Sequence, residues 1–295
     1  MCSDEIAKDN ITENFWHEKN GLWFVDSIET LPNPENKESN LLLTYAVRDG
    51  IICHCGEIHE DSVYPRLNVI DLHEIMQPGQ VQPITWEGCV IKVADEIAFL
   101  GRDIDDAIRL GVLSLKDFLR ESEELIPYLE NDGPKLKPRQ INNTVLIHCL
   151  ISDLCKSSSP ECGIRFTKER LALLKGLRQI SNKLIYNQSR LKQYEELANL
   201  VLKSIVNVLS PCYRGRDTIK GLNLQLNHCK LLRDSFSGWI TQYTDVNPSG
   251  RNKFENKVVY DMENKRDYLR AIIDYISGIT DAFAHNVYNE MTRFL

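Results

Sequence analysis

Apolar residues recur at helical spacing along most of the chain, and the clearest run covers residues 86–110. Val90, Val93, Ala94, Ile97, Ala98, Gly101, Ile104, Ala107 and Ile108 follow the i, i+3, i+4, i+7 pattern, which predicts an amphipathic helix with these positions turned to a core. A second strong run, residues 189–209, sets Leu191, Tyr194, Leu197, Leu200, Val201 and Ile205 on one side. Weaker patterns predict helices over residues 141–155, 219–243 and 265–295, and a looser mixture of aromatic and aliphatic positions covers 15–28. Ser114 and Thr167 stand just ahead of apolar runs, where a hydroxyl caps a helix N-terminus. They predict a short helix to residue 125 and another to about residue 180. Residues 41–53 fit a helix or a strand equally well by pattern.

Polar breaks separate these runs. Residues 29–40 carry Pro32 and Pro34, and 56–82 is loop-rich, punctuated by Pro65, Pro78 and Gly79 with Pro83 just after it. Residues 127–138 read as an exposed loop, 156–162 as a connector, and 247–250 as a turn. With no strand-rich region, internal repeat or low-complexity tract, the expected fold class is all-α.

Composition adds bounds. A chain of 295 residues allows one large domain or two small ones. Its 42% hydrophobic and 26% charged residues support a sizeable core and exclude a disordered chain. The net charge, 35 − 42 = −7, leaves no basic footprint for duplex nucleic acid. No apolar run approaches the ~18 residues of a transmembrane helix, so no membrane span is expected. Residues 1–14 are polar and acidic, unlike a signal peptide. Nine scattered cysteines fit reduced thiols better than a disulfide framework, which points to a cytoplasmic protein.

The 86–110 helix carries a second stripe. Asp95, Phe99, Arg102, Asp103 and Asp106 lie at i, i+4, i+7, i+8 and i+11 and project from one side. Asp95 stands among apolar neighbours and is expected to be at least partly buried, where a carboxylate needs a partner or a metal. Spacing alone equally fits a solvated acidic face with an Arg102–Asp106 pair.

Val93-Ala94-Asp95-Glu96-Ile97-Ala98-Phe99, followed by Arg102-Asp103-Ile104-Asp105-Asp106-Ala107, closely resembles a signature helix of the deoxynucleoside triphosphate (dNTP) triphosphohydrolase branch of the HD superfamily. Leu43-Thr44-Tyr45, then Val47-Arg48-Asp49-Gly50-Ile51 and His54, resembles a second family segment, which favours helix over strand there. Asp274-Tyr275-Ile276-Ser277-Gly278-Ile279-Thr280-Asp281 resembles a third, and all three fall in the family's order. The resemblance runs from about residue 15 to the C-terminus, with a weak middle.

The resemblance implies an HD-domain-like phosphohydrolase bundle that hydrolyses a dNTP, dGTP among them, to the deoxynucleoside and tripolyphosphate. It implies a divalent metal, Mg²⁺ or Mn²⁺, and a homo-oligomer or a complementing subunit. Asp95 matches a metal-ligand Asp, and Asp103 matches an Asp that faces the sugar. Phe99 replaces a family Tyr and loses its hydroxyl. His54 is expected to pack near the substrate pocket or hold its loop. Phe15-Trp16-His17-Glu18 resembles a further short motif, in which His17 would act as general acid toward the leaving 5′-oxygen with Glu18 tuning it; a surface histidine near a helix start fits the same residues.

One departure bears on activity. The family's remaining metal ligands, a His and a contiguous His-Asp pair, belong upstream of residue 15. Residues 1–14 contain no His, and no adjacent His-Asp occurs in the chain. The bundle is therefore expected to be incomplete at its N-terminus, as in a truncated or split product, with weak or no activity alone. The alternative is a non-catalytic pseudoenzyme that binds nucleotide or a partner. The expected organisation is a polar tail (1–14), a partial catalytic core (15–126) and a C-terminal helical region that completes the core and an oligomer interface (127–295).

Other clusters are less specific. Cys53-His54-Cys55 with His59 matches structural zinc spacings poorly. Cys149, Cys155 and Cys162 read as free thiols. Arg214, Arg216 and Lys220 form a short basic group of the kind that touches triphosphate or an effector nucleotide in the family, or simply a solvated loop. No phosphate-loop or dinucleotide glycine pattern is present.

Overall fold

A computed structural model describes residues 15–54, 62–125 and 143–293. The expected tail (1–14), the loop at 127–138, and Cys55 and His59 lie outside them. Among the described residues the chain forms eleven α-helices and one two-stranded antiparallel sheet. In chain order these are α1 His17–Trp23, β1 Thr30–Pro32, β2 Glu38–Asn40, α2 Tyr45–Cys53, α3 Trp86–Arg109, α4 Leu115–Glu121, α5 Asn143–Ser157, α6 Lys168–Ser181, α7 Ser189–Leu209, α8 Thr218–Gln225, α9 Lys230–Tyr243, α10 Lys265–Gly278 and α11 Asp281–Thr292. The fold is all-α in class. No helix among the described residues is long and apolar enough to cross a membrane.

The caps read from sequence hold. The Ser114 side chain accepts from the Asp117 N–H at 3.2 Å and that of Thr167 from the Arg170 N–H at 3.3 Å. Residues 41–53 resolve as helix α2. Three segments depart from expectation. The polar break at 29–40 is a short hairpin, too brief for a period-2 signal, with Asn36 at its tip in left-handed conformation (φ 59°). The single helix expected at 219–243 is two, α8 and α9, interrupted where Leu226 leaves helical geometry and the Cys229 N–H turns back to the Leu226 carbonyl at 3.1 Å. The break buries both Leu222 of α8 and Leu226 just past its end alongside Leu232 and Phe236 of α9. The last expected helix also divides. α10 ends at Gly278, and Thr280 caps α11 by accepting from the Phe283 N–H at 3.2 Å, with Asp281 in its first turn.

Contacts group the chain into two compact units, residues 1–43 with 195–295, and 44–194. The first unit has a core of Ile205, Leu209, Leu222, Leu232, Phe236, Ile240, Tyr268 and Ile272, all removed from solvent. Phe236 meets the rings of Tyr268 and Tyr275 edge-on at 5.9 and 5.1 Å. Two buried phenols find backbone carbonyls: the Tyr268 hydroxyl donates to Leu209 at 2.6 Å and that of Tyr243 to Ile28 at 2.9 Å. The hairpin is stitched to the C-terminal part of this unit by the Glu255 N–H on the Glu38 carbonyl, 2.8 Å, and the Lys257 N–H on Asn40 Oδ1, 2.7 Å.

In the second unit α3 is central and packs against α2, α5 and α6. Its buried side, Cys89, Val93, Ile97, Leu100, Ile104 and Ala107, meets Leu146 and Leu150 of α5 and Leu173, Leu174 and Leu177 of α6. α3 and α5 cross closely at Gly101, where a Cβ would stand 1.9 Å from Asn143 Oδ1.

Candidate functional site

α3 begins where the Thr85 hydroxyl accepts from the Gly88 N–H at 3.0 Å. A buried carboxylate fixes that start. Asp49 of α2 has no solvent exposure; it accepts from the guanidinium of Arg66 and, at 2.7 Å, from the Ile84 N–H. Arg66 also donates to the Tyr45 hydroxyl and the Gln82 carbonyl, both at 2.7 Å. The segment matched at 47–51 thus ties the loop ahead of α3 to α2, so that α3 starts at a defined place.

Of the positions expected to face the core on α3, Val93, Ile97, Gly101, Ile104 and Ala107 are buried, whereas Val90, Ala94 and Ala98 are not. Val90 (45%), Ile91 (49%), Ala94 and Ala98 face solvent, and Asp95 lies exposed among them rather than partly buried. The apolar arc of the helix is wider than the face that meets the core, so periodicity places its centre and not its edge. Among the described residues Asp95 makes no hydrogen bond or ion pair, and it stands in no group of three or more close metal-ligating side chains. A lone carboxylate does not hold a divalent cation tightly, so Asp95 with its described neighbours does not make a complete metal site. The expected Arg102–Asp106 pair is present at 3.9 Å, with both partners exposed and Asp106 also held by Arg109 at 2.9 Å.

The next two residues of the stripe converge on a third that sequence reasoning missed. Past α6 the chain makes a π-helical turn, Asn182–Tyr186, and Tyr186 returns to α3. Its ring stacks on Phe99 at 6.1 Å with 17° between the planes, and its hydroxyl donates to the Asp103 carboxylate. Burial and that carboxylate raise the phenol above its ordinary range, so it remains a protonated donor. Phe99, 52% exposed, keeps its other face open. Nothing in the spacing along α3 could signal Tyr186, which lies 83 residues from Asp103. On the opposite side Glu96 is held by Arg178 of α6, which locks the rotation of α3.

His54 caps α2. Its Nδ1 lies 3.1 Å from the Gly50 carbonyl and 2.8 Å from that of Ile51. Both are acceptors, so Nδ1 carries a proton and donates to them. Cys53, the residue before it, turns into the core beside Asp49, and burial pushes its thiol up to about 12. A side chain in that state is not poised as a metal ligand.

His17 and Glu18 belong to the first unit. Glu18 is buried at the start of α1, its carboxylate 3.0 Å from Nε2 of His17, whose ring is 80% exposed. The basic group near 213 is internally matched. Arg214 donates to the carbonyls of Pro211 and Tyr213, Arg216 pairs with Asp245 at 3.2 Å and Lys220 with Asp217 at 2.7 Å.

Residues 232–290, α9 to α11, match the family described as phosphohydrolase-associated domain. A deoxyguanosinetriphosphate triphosphohydrolase-like protein of Clostridium tetani is 27% identical over 69% of the chain and 50% of its own length. One of Bordetella pertussis is 23% identical over 96% of the chain and 65% of its own length, and one of Caldanaerobacter subterraneus is 24% identical over 98% and 61%. The chain thus spans about half to two-thirds of the length of these curated relatives. No solved structure matches it. The aligned relatives, the matched C-terminal family and the helical fold agree in one likeness: the chain is similar to dGTPase-like proteins of the HD phosphohydrolase family.

Proposed function

We propose that this chain is a dNTP triphosphohydrolase-family protein whose α3 face receives the deoxynucleoside part of a dNTP, dGTP among the candidates. The observation that carries the proposal is the convergence of Phe99, Asp103 and Tyr186 beside an unpartnered Asp95. The Phe99–Tyr186 pair offers aromatic surface to a sugar or base. Asp103 already accepts from one hydroxyl and has a further oxygen for a sugar hydroxyl. Tyr186 also returns to this place the phenol that Phe99 lacks. His54, with Nδ1 committed to backbone, holds the end of α2.

The family implies a divalent cation, Mg²⁺ or Mn²⁺, which would polarise phosphate oxygens when bound. Asp95 would be one ligand, and the described residues around it do not supply the rest. Hydrolysis adds water at the α-phosphorus and breaks its bond to the 5′-oxygen, which leaves with a proton. In this reading the imidazolium of His17 gives that proton, Glu18 stabilises the charged ring from 3.0 Å, and the proton released by the attacking water recharges it.

A second reading rests on two of the same observations. Asp95 has no companion ligands among the described residues, and Phe99 has no hydroxyl. The chain would then bind nucleotide, or a partner subunit, without turning it over. Tripolyphosphate release from dGTP with Mg²⁺ or Mn²⁺, on this chain and on Asp95→Ala, separates the two. Release that Asp95→Ala abolishes supports the hydrolase. Absence of release from folded protein that still binds dGTP supports the binding protein. Failure of both release and binding sinks both.

A further inference from the structure

We infer that Asp274 is a positioning residue for His17, acting through the indole of Trp23 on the helix that carries the imidazole. This rests on the reading of His17 as the general acid, but the contact is observed independently of it. α1 has seven residues and no side-chain cap at its N-terminus. A helix that short does not hold itself in water, and its direction must come from tertiary contacts.

The strongest such contact closes on its last residue. Trp23 Nε1–H donates to Asp274 Oδ2 at 2.9 Å, across 251 residues of sequence. The same oxygen accepts from the Tyr260 hydroxyl at 2.8 Å and lies 3.7 Å from Nε of Arg270. The guanidinium of Arg270 also covers the Trp23 ring at 4.2 Å. Asp274 is 4% exposed, so water does not compete for this oxygen, and hydrogen bonds to a charged acceptor in such a place are strong and directional. Two further contacts limit the turn after α1. Ile28 accepts from the Tyr243 hydroxyl at 2.9 Å, and Phe24 lies against Gly278, where a Cβ would come within 3.2 Å of the ring.

The indole therefore sets the rotation of α1, and rotation decides where the His17 ring points. Successive residues turn by about 100°, so even a fraction of one residue's rotation re-aims the imidazole. The C-terminal segment 274–281 was singled out by resemblance alone; its first residue now has a physical task, which is to hold an N-terminal element.

Trp23→Phe keeps the ring and removes the donor, and the test is hydrogen exchange on the full chain with far-ultraviolet circular dichroism to verify the fold. Amides of residues 18–28 are expected to exchange about tenfold faster or more, with those of residues 230–243 unchanged. The ring resonances of His17 are expected to move while those of His228 and His285 stay. Asp274→Asn, which keeps an acceptor oxygen, is expected to retain most of the protection, whereas Asp274→Leu, which has none, is expected to reproduce the acceleration and serves as the second test variant should Trp23→Phe fold poorly. Unchanged exchange at 18–28, or equal acceleration throughout the first unit, overturns the inference. Tripolyphosphate release is read separately: if α1 loosens while release from dGTP is unaffected, His17 is not the acid and the positioning contact still stands.

Discussion

Asp95 and Asp103 lie on one helix eight residues apart, yet meet different surroundings. Asp95 faces solvent among exposed apolar side chains, whereas Asp103 is held by Tyr186. Replacing Tyr186 by Phe keeps the ring on Phe99 and removes the donor, and urea denaturation should show a loss of about 1–2 kcal/mol. Asp274 gives a pH-dependent test. Burial raises its carboxyl above the ordinary 3.8, and this outweighs the opposing bonds from Tyr260 and Trp23. A raised acid binds more protons when folded, so its stabilising contribution is complete below the ordinary value and is lost as pH rises through the raised one. The stability of Asp274→Asn relative to wild type should therefore improve from about pH 4 to neutrality, measured by denaturation at both. The thiols divide by exposure. Cys155 and Cys162 should alkylate in the native protein, whereas Cys53, Cys89 and Cys212, pushed up to about 12, 11 and 11 by burial, should react only on unfolding.

The elements were legible where local chemistry decides them. Thr167 and Ser114 announced their helices because a capping hydroxyl acts within a few residues, and α7 has the bounds its periodicity predicted. The breaks before α9 and α11 were not legible, because apolar periodicity runs on through Leu226 and Ile279 while the tertiary core selects a turn. The edge of the buried face of α3 was not legible either: Val93, Ile97, Ile104 and Ala107 are buried as expected, and Val90, Ala94 and Ala98 are not. Apolar residues extend past that face, and only the packing of α2, α5 and α6 sets where burial stops. Tight backbone approach is likewise invisible in sequence. A Cβ on Gly221 of α8 would lie 2.2 Å from the Cys212 carbonyl oxygen. Gly221→Ala gains about 1 kcal/mol of helix propensity, yet should destabilise by about 1–3 kcal/mol in thermal or chemical unfolding, because the opposing atom is backbone.

At the scale of the molecule, fold class was readable from helical periodicity, and the family resemblance from three ordered motifs. Tyr186 was not, because it reaches α3 through the fold rather than along the helix. Each unit has its own core, and each leaves apolar side chains in solvent: Val90, Ile91 and Phe99 in the second, Leu197, Leu200 and Leu202 in the first. Exposed apolar surface favours association, and light scattering should give a mass above the 34.0 kDa of one chain. The deoxynucleotide site on α3 is tested most directly by calorimetric titration of dGTP into the chain and into Asp103→Ala, each verified as folded. The expected result is saturable binding to the chain, weakened about tenfold or more by Asp103→Ala. No binding, or equal affinity for both proteins, would contradict the assignment of this face to the nucleotide.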